Sequence, residues 1–391
     1  MRDALLSSSG LFMGNFIVSA LKYRPDTFTS VVGQSHVTDT LKSAILLDQL
    51  AHAFLFSGPR GVGKTTCARI LAKAINCENL QEDGEPCNVC ESCRRFNEGK
   101  SINVHELDAA SNNSVDDIRN LIEQTRYVPP NGGRSVYIID EVHMLSQAAF
   151  NAFLKTLEEP PEHVLFILAT TEKHKILPTI LSRCQKFDFR RIRVDDIARH
   201  LEHISKEENR AYEFAALQQI ALKADGALRD ALSLYDQLVS YSGDSLTFAK
   251  VLENLNILDY DYYFKAVDQI QAQDHSALLL LLDDIIEKGF EAKDFIVGMT
   301  EHFRNLLVCQ EPETIKLLET SDEVKARYQT QSQALDPTLL LNAFHLCAEG
   351  ERQAKTASHP RLAIELTLVK LAHLQAAVHV LNRAVPEKKN P

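Results

Sequence analysis

The residues with the most specific chemistry lie between Ala53 and Asn76, in AFLFSGPRGVGKTTCARILAKAIN. Gly58-Pro59-Arg60-Gly61-Val62-Gly63-Lys64-Thr65 fits the spacing G-x-x-x-x-G-K-[ST], whose glycines let backbone N–H groups close around phosphate oxygens. Lys64 can reach the outer phosphates and the Thr65 hydroxyl can hold Mg²⁺, with Arg60, Val62 and Thr66 in the same nucleotide-binding stretch. A second pair, Asp140-Glu141, closes the apolar run Val136-Tyr137-Ile138-Ile139. Behind a phosphate loop, Asp140 would join the Mg²⁺ shell and Glu141 would orient and polarise an attacking water. The bland alternative is two carboxylates solvated at a strand end. A third group is Cys77-x9-Cys87-x2-Cys90-x2-Cys93. Four thiolates at that spacing suit a closed structural zinc site. An iron–sulfur cluster fits less well, because its fourth cysteine follows closely and is trailed by Pro. Here the next cysteine is Cys184. Free thiols are the remaining reading.

These groups need a scaffold. Ala53-Phe54-Leu55-Phe56 reads as a buried strand, and past Lys64 the residues Cys67, Ala68, Leu71, Ala74 and Ile75 recur at helical spacing. Strand, glycine loop and helix in succession place a partial positive charge where phosphate would sit. Residues 103–108, 136–141, 164–169 and 186–189 read as further strands, and Ser114 as the cap of a helix with Asp116 and Asp117 in its first turn. Helical patterns separate them: His36 to Leu50, and Leu145 to Leu157 stopped by Pro160-Pro161. The fold class is therefore α/β, a doubly wound parallel sheet with its ligand at the carboxyl ends of the strands. From Arg193 the pattern is helical throughout. A small helical domain is expected over 193–245 and a second, Leu-rich helical domain over 246–383, with helices such as Ala277 to Glu287 and Leu362 to Leu381. Residues 22–34 read as an extended arm ending in a turn. Either the arm packs on the surface, or Tyr23, Pro25 and Val32 cover a nucleotide base.

Composition sets the limits. A chain of 391 residues holds two or three domains, and a net charge of −11 disfavours a protein that grips nucleic acid over its whole surface. No 18-residue apolar run reads as a membrane span, and residues 1–12 lack the apolar core and cleavage site of a signal peptide. That leader reads as a frayed tail, or Met13 as the true start. Eight cysteines, four of them crowded between Cys77 and Cys93, suit a reducing cytoplasm and a metal site better than a disulfide framework.

The phosphate loop, the four-cysteine insert, IIDEVHML, FNAFLKTLEEPPEHV, LATTE, ILSRC and GALRDALSL together resemble the clamp-loader gamma/tau subunits of bacterial DNA polymerase III, over about residues 13–383. The resemblance implies an AAA+ nucleotide-binding module over 13–192 with its zinc insert at 77–93, a helical lid over 193–245, an oligomerising collar over 246–383 and a tail at 384–391. It implies that Thr171 senses the γ-phosphate, that Arg183 is an arginine finger acting on ATP held by a neighbouring subunit, and that Arg229 reaches the γ-phosphate of its own subunit from the lid. Leu228 would lie on the base, and Arg24, Pro25, Val31 and Val32 would close the pocket.

The implied function is ATP-driven loading of a sliding clamp onto primed DNA. The implied partners are delta- and delta-prime-type subunits and further copies of the chain in a five-subunit ring, the clamp, and primed DNA held through its backbone. Two departures stand out: the interval between Cys77 and Cys87 is one residue longer than the family commonly has, and the chain stops at Pro391, so it is gamma-like in extent or a fragment of a longer tau form that would also bind polymerase core and helicase. Rival readings are another AAA+ machine of DNA metabolism, such as a helicase loader or branch-migration motor, a non-hydrolysing structural paralogue, and a nucleotide-binding switch.

Overall fold

The strand-like runs pair in a computed structural model of the chain, which describes residues 18–129, 132–243, 245–255, 258–318, 320 and 322–376. The expected leader, the Met13 start and the tail lie outside those residues. β1 (Ala53–Ser57), β2 (Val104–Asp108), β3 (Ser135–Asp140), β4 (Val164–Thr170) and β5 (Gln185–Asp188) form one sheet in the order β2-β3-β4-β1-β5. Every neighbouring pair is parallel. All residues of β1 and β4 are buried, which is why both read as unbroken apolar runs rather than alternating ones.

The two-residue period of a strand divides those side chains between two cores. Phe54, Phe56, Val136, Ile138, Leu165 and Ile167 face one side, where they meet Val37 and Leu41 of helix Ser35–Leu46 and Cys67, Ile70 and Leu71 of helix Lys64–Ile75. Leu55, Tyr137, Ile139, Phe166 and Leu168 face the other, against Ile118 and Leu121 of helix Val115–Gln124 and Ala149, Phe150 and Phe153 of helix Gln147–Glu158. The two helices on that second side are started by side chains. Ser114 Oγ accepts from Asp117 N–H at 3.1 Å while the Asp117 carboxylate accepts from Ser114 N–H at 3.2 Å, a reciprocal capping box. Ser146 Oγ accepts from Ala149 N–H at 3.2 Å.

This strand order positions the chemistry. β1 and β3 are separated only by β4, about 10 Å apart at the usual spacing between strands. All strands run in the same direction, so the loop after β1 and the carboxylates at the end of β3 emerge on one edge of the sheet.

Helices Val194–Glu207, Phe214–Lys223 and Leu228–Ser242 follow the sheet. The chain divides into two compact units between Ser245 and Leu246. The second contains helices Tyr260–Gln271, His275–Glu287, Ala292–Val308, Pro337–Thr356 and Pro360–Ala372 around a core that includes Phe264, Phe295, Met299, Phe303, Leu340 and Leu368. Pro337 and Pro360 start their helices, where a missing N–H has no cost.

Three expectations need correction. The arm does not begin extended: Ser19–Lys22 is a helical turn, fastened by Ser19 N–H and the Ser19 hydroxyl to the Asp236 carboxylate. Helix 36–50 ends at Leu46, just before Asp48 at φ +49°. The fifth strand lies one residue earlier than 186–189. Of the expected helix Leu362 to Leu381, the structure has Pro360–Ala372, and residues from 377 lie outside the description. Among the described residues no helix is long and apolar enough to cross a membrane.

Candidate nucleotide site and cysteine cluster

At the carboxyl edge of the sheet is a cleft of about 430 Å³. Its floor is the glycine loop and the start of helix Lys64–Ile75, whose N-cap is Gly63 at φ +101°. That left-handed conformation suits glycine. No side chain caps this helix, so its first N–H groups and the dipole behind them face the cleft. Arg60, Gly61, Val62, Gly63, Lys64, Thr65 and Thr66 all line it, as do Asp140 and Glu141 from the end of β3. Arg24, Pro25, Val31 and Val32 reach it from the arm, and Leu228 and Arg229 from the helix Leu228–Ser242.

Lys64 is buried, and its Nζ donates to the loop carbonyls of Gly58 at 2.9 Å and Pro59 at 2.7 Å. Burial lowers its pKa, and the nearby Glu141 and Asp140 carboxylates oppose that shift. Thr65 Oγ1 donates to Asp140 Oδ2 at 2.7 Å, bringing the two oxygens expected around Mg²⁺ together. The other Asp140 oxygen accepts the Glu141 N–H at 2.9 Å. Glu141 Oε2 accepts from Thr171 N–H at 3.3 Å and from Thr171 Oγ1 at 3.1 Å. Burial, then the neighbouring Arg69 charge, lowers the pKa of the Arg24 guanidinium, and the Arg229 charge acts the same way. Lys64, Arg24, Arg60 and Arg229 thus surround a space for polyanion.

Three expected residues are not in the cleft wall: Gly58, Thr171 and Arg183. Gly58 turns the chain out of β1, and a Cβ there would lie 2.4 Å from the Phe189 carbonyl oxygen. Its contribution is its carbonyl, which accepts from Lys64. Thr171 stands behind Glu141 and touches the site through that side chain. Arg183 lies on an exposed turn, its guanidinium donating to Glu158 Oε1 and to the Thr179 carbonyl at 2.6 Å each.

The apolar end of the cleft is built from residues that sequence reasoning missed: Val18, Ala20, Leu21, Ile192 and Leu232. Leu232 follows Leu228 by four positions and could have been found by helical spacing. Ile192 carries no such signal, since only the fold brings it to Gly33.

Cys77, Cys87, Cys90 and Cys93 bring their sulfurs within 4.8 Å of one another. Four sulfurs at ~2.3 Å from a tetrahedral zinc ion stand ~3.8 Å apart, so this set fits such an ion with only small adjustment. Backbone N–H groups of Cys87, Cys90 and Cys93 donate to the sulfurs of Cys77, Cys87 and Cys90 at 3.3, 3.3 and 3.4 Å. Such donors favour thiolates. Burial pushes the Cys87 thiol up, but N–H groups of Val89 and Cys90 and the neighbouring thiols bring it to about 6.

Three stretches of the chain match known protein families. Residues 33–193 match the description "DNA polymerase III, delta subunit", residues 196–244 "DNA polymerase III clamp loader subunit, ATPase lid domain", and residues 246–382 "DNA polymerase III subunits gamma and tau domain III". DNA polymerase III subunit gamma of Buchnera aphidicola subsp. Baizongia pistaciae is 34% identical over 362 residues, covering 92% of this chain and 98% of that protein. The chain belongs to the DNA polymerase III gamma/tau family. Another member, subunit tau of Bacillus subtilis, is 41% identical over 358 residues, 91% of this chain. The chain spans 63% of that relative's length. Among solved structures, the RuvB Holliday junction branch migration motor of Thermotoga maritima is 22% identical with a TM-score of 0.44, over 63% of this chain and 79% of that one. The matched descriptions give the parts of the architecture their names: the parallel-sheet module is followed by an ATPase lid domain and then by the gamma and tau domain III.

Proposed function

We propose that this chain is the ATP-hydrolysing motor subunit of a bacterial clamp loader, which opens a sliding clamp and places it on primed DNA. The observation that carries the reading is the convergence of Lys64, the Thr65–Asp140 pair, Glu141 and Arg229 on one cleft, in a chain of the gamma/tau family.

In this reading the nucleotide base enters the apolar end, between the arm residues Pro25, Val31 and Val32 and the lid residue Leu228. The triphosphate lies along the glycine loop. Lys64 leaves the carbonyls of Gly58 and Pro59 for the outer phosphates. Thr65 and Asp140 would hold Mg²⁺, which would supply charge to neutralise the phosphate oxygens. Glu141 turns from Thr171 towards a water in line with the γ-phosphate, and Thr171, once released, reports that phosphate. Arg229 ties the lid to the same group. The lid is already close, since Arg229 N–H donates to the Gly61 carbonyl at 3.3 Å.

Arg183 lies outside its own cleft, which suits a finger that completes a neighbour's site. An arginine supplied in this way stabilises charge on the transferred phosphoryl group and adds about three to five orders of magnitude in the best-measured cases. Hydrolysis would then depend on assembly with delta- and delta-prime-type subunits and further copies of the chain. The four-cysteine set would hold zinc as a structural ion with no open position, and the chain would work in the cytoplasm.

Steady-state ATPase tests this. The rate of the chain alone should be low, rise strongly with partner subunits, clamp and primed DNA, and lose most of that rise in Arg183→Ala. A rate indifferent to clamp, DNA and Arg183 would leave a nucleotide-binding switch and sink the motor reading.

A further inference from the structure

The cysteine cluster and the arm over the cleft are joined by the residues that flank Cys87. Glu85, two residues before it, is 5% exposed. Glu85 Oε2 accepts Phe28 N–H at 2.7 Å; Oε1 accepts Thr29 N–H at 2.8 Å and the Thr29 hydroxyl at 2.7 Å. Lys42 Nζ adds a fourth donor at 3.1 Å. Asn88, one residue after Cys87, donates from Nδ2 to Asp26 Oδ2 at 3.1 Å, and its Oδ1 accepts from Lys73 Nζ on the phosphate-loop helix. Asp26, Phe28 and Thr29 lie between Pro25 and Val31, both in the cleft wall.

Glu85 belongs to neither sheet nor helix: it directly follows a turn closed by Gly84 N–H on the Gln81 carbonyl at 2.9 Å, and its own carbonyl accepts Gln81 N–H at 3.0 Å. Its place is set by where the chain is anchored: Cys77 at the end of the phosphate-loop helix and Cys87 in the cluster. An ion that draws four thiolates together fixes both anchors. Without it, the turn gains freedom and the arm loses its only buried carboxylate acceptor among the described residues.

We propose that Glu85 and Asn88 are positioning residues that hold the arm over the nucleotide, so that metal occupancy of the cysteine cluster sets nucleotide affinity. This rests on reading the cleft as a nucleotide site.

The test is equilibrium binding of a fluorescent ADP analogue to the full chain without partners, with zinc content and thermal melting measured on each sample. Glu85→Ala and Asn88→Ala should keep one zinc per chain and bind about five- to tenfold more weakly, as expected for losing a charged or amide hydrogen bond. Wild type stripped of zinc by a chelator should weaken by a similar factor. Stripping Glu85→Ala should add little, because the two changes act through one linkage. Glu98→Ala, on the exposed surface beyond the cluster, should bind as wild type.

If Glu85→Ala melts without cooperativity, Asn88→Ala and Thr29→Ala, which removes one hydroxyl bond only, decide the matter. Folded, zinc-loaded variants with wild-type affinity, or folded zinc-free wild type with undiminished affinity, overturn the proposal. A wild-type chain that binds no nucleotide at all, and no better than Lys64→Ala, overturns the reading of the cleft itself and the linkage with it.

Discussion

Glu141 has φ +47°, a left-handed conformation that costs a residue with a Cβ about 1–2 kcal/mol. Its own N–H on Asp140 and its carboxylate on Thr171 hold it there. In the proposed role, a carboxylate held by a threonine is ordered but not yet directed at a water, and both groups would change partners when the γ-phosphate arrives. Glu141→Gln keeps the shape and can still bond Thr171, but it cannot polarise water. Nucleotide affinity should stay within about twofold of wild type, since about 0.4 kcal/mol is that factor, while turnover in the assembled state falls by about 10²–10⁴-fold. Turnover at the wild-type rate would remove Glu141 from its assigned role.

A second residue-scale prediction comes from His302, buried in the second unit between the Tyr328 hydroxyl at 3.0 Å and Gln331 Oε1 at 3.1 Å. Burial brings its pKa down to about 4, against about 6.5 in an unfolded chain. Above pH ~6.5 neither state is protonated there, and below it the unfolded chain takes a proton that the folded one refuses. Stability of the second unit should therefore fall as pH drops from about 6.5 to about 4, by roughly 3 kcal/mol in total. Calorimetry at several pH values should record that slope, and His302→Gln, which keeps an amide but does not titrate, should flatten it.

At the scale of elements, β1 holds the phosphate loop in register by being buried on both faces. Leu55 is opposite Leu168 on β4 and Lys186 on β5 and is fully buried. Leu55→Ala should destabilise the first unit by about 2–5 kcal/mol in thermal or denaturant melts, with no loss of any phosphate contact. A variant as stable as wild type would mean that the sheet tolerates a cavity at its centre. The apolar runs of β1, β3 and β4 were legible because each is too short for a helix and is bounded by turn residues, and Ser114 announced its helix through cap chemistry.

What could not be read depends on tertiary placement. The sequence contains no sign that Ile192 would close the cleft, that Gly58 would pack on Phe189 and leave the wall, or that Ser19 would find Asp236 and wind the arm into a helical turn. Glu85 escaped for the same reason: its partners are Phe28 and Thr29, more than fifty positions earlier. Spacing shows chemistry carried on one element and hides chemistry assembled from two.

At the scale of the whole molecule, the role proposed for Arg183, which lies outside its own cleft, would make each chain half of two sites. Each chain would bring a nucleotide pocket to one contact and Arg183 to the other. Two defective chains should then complement one another. Lys64→Ala removes the lysine proposed to bind the outer phosphates and keeps Arg183, while Arg183→Ala keeps the pocket intact. Assembled separately with wild-type partner subunits, each should show little clamp- and DNA-stimulated ATPase from sites between copies of this chain. Assembled as a mixture, the ring gains contacts in which Lys64→Ala presents its arginine to an Arg183→Ala pocket. For random pairing at equal amounts, about a quarter of ordered pairs have that arrangement, each of the two choices being one in two. Stimulated activity should therefore recover to roughly a quarter of the wild-type contribution of such contacts, since the finger governs the rate of the site it enters. An arginine acting within its own chain predicts no recovery at any mixing ratio, because every chain would then carry one broken component.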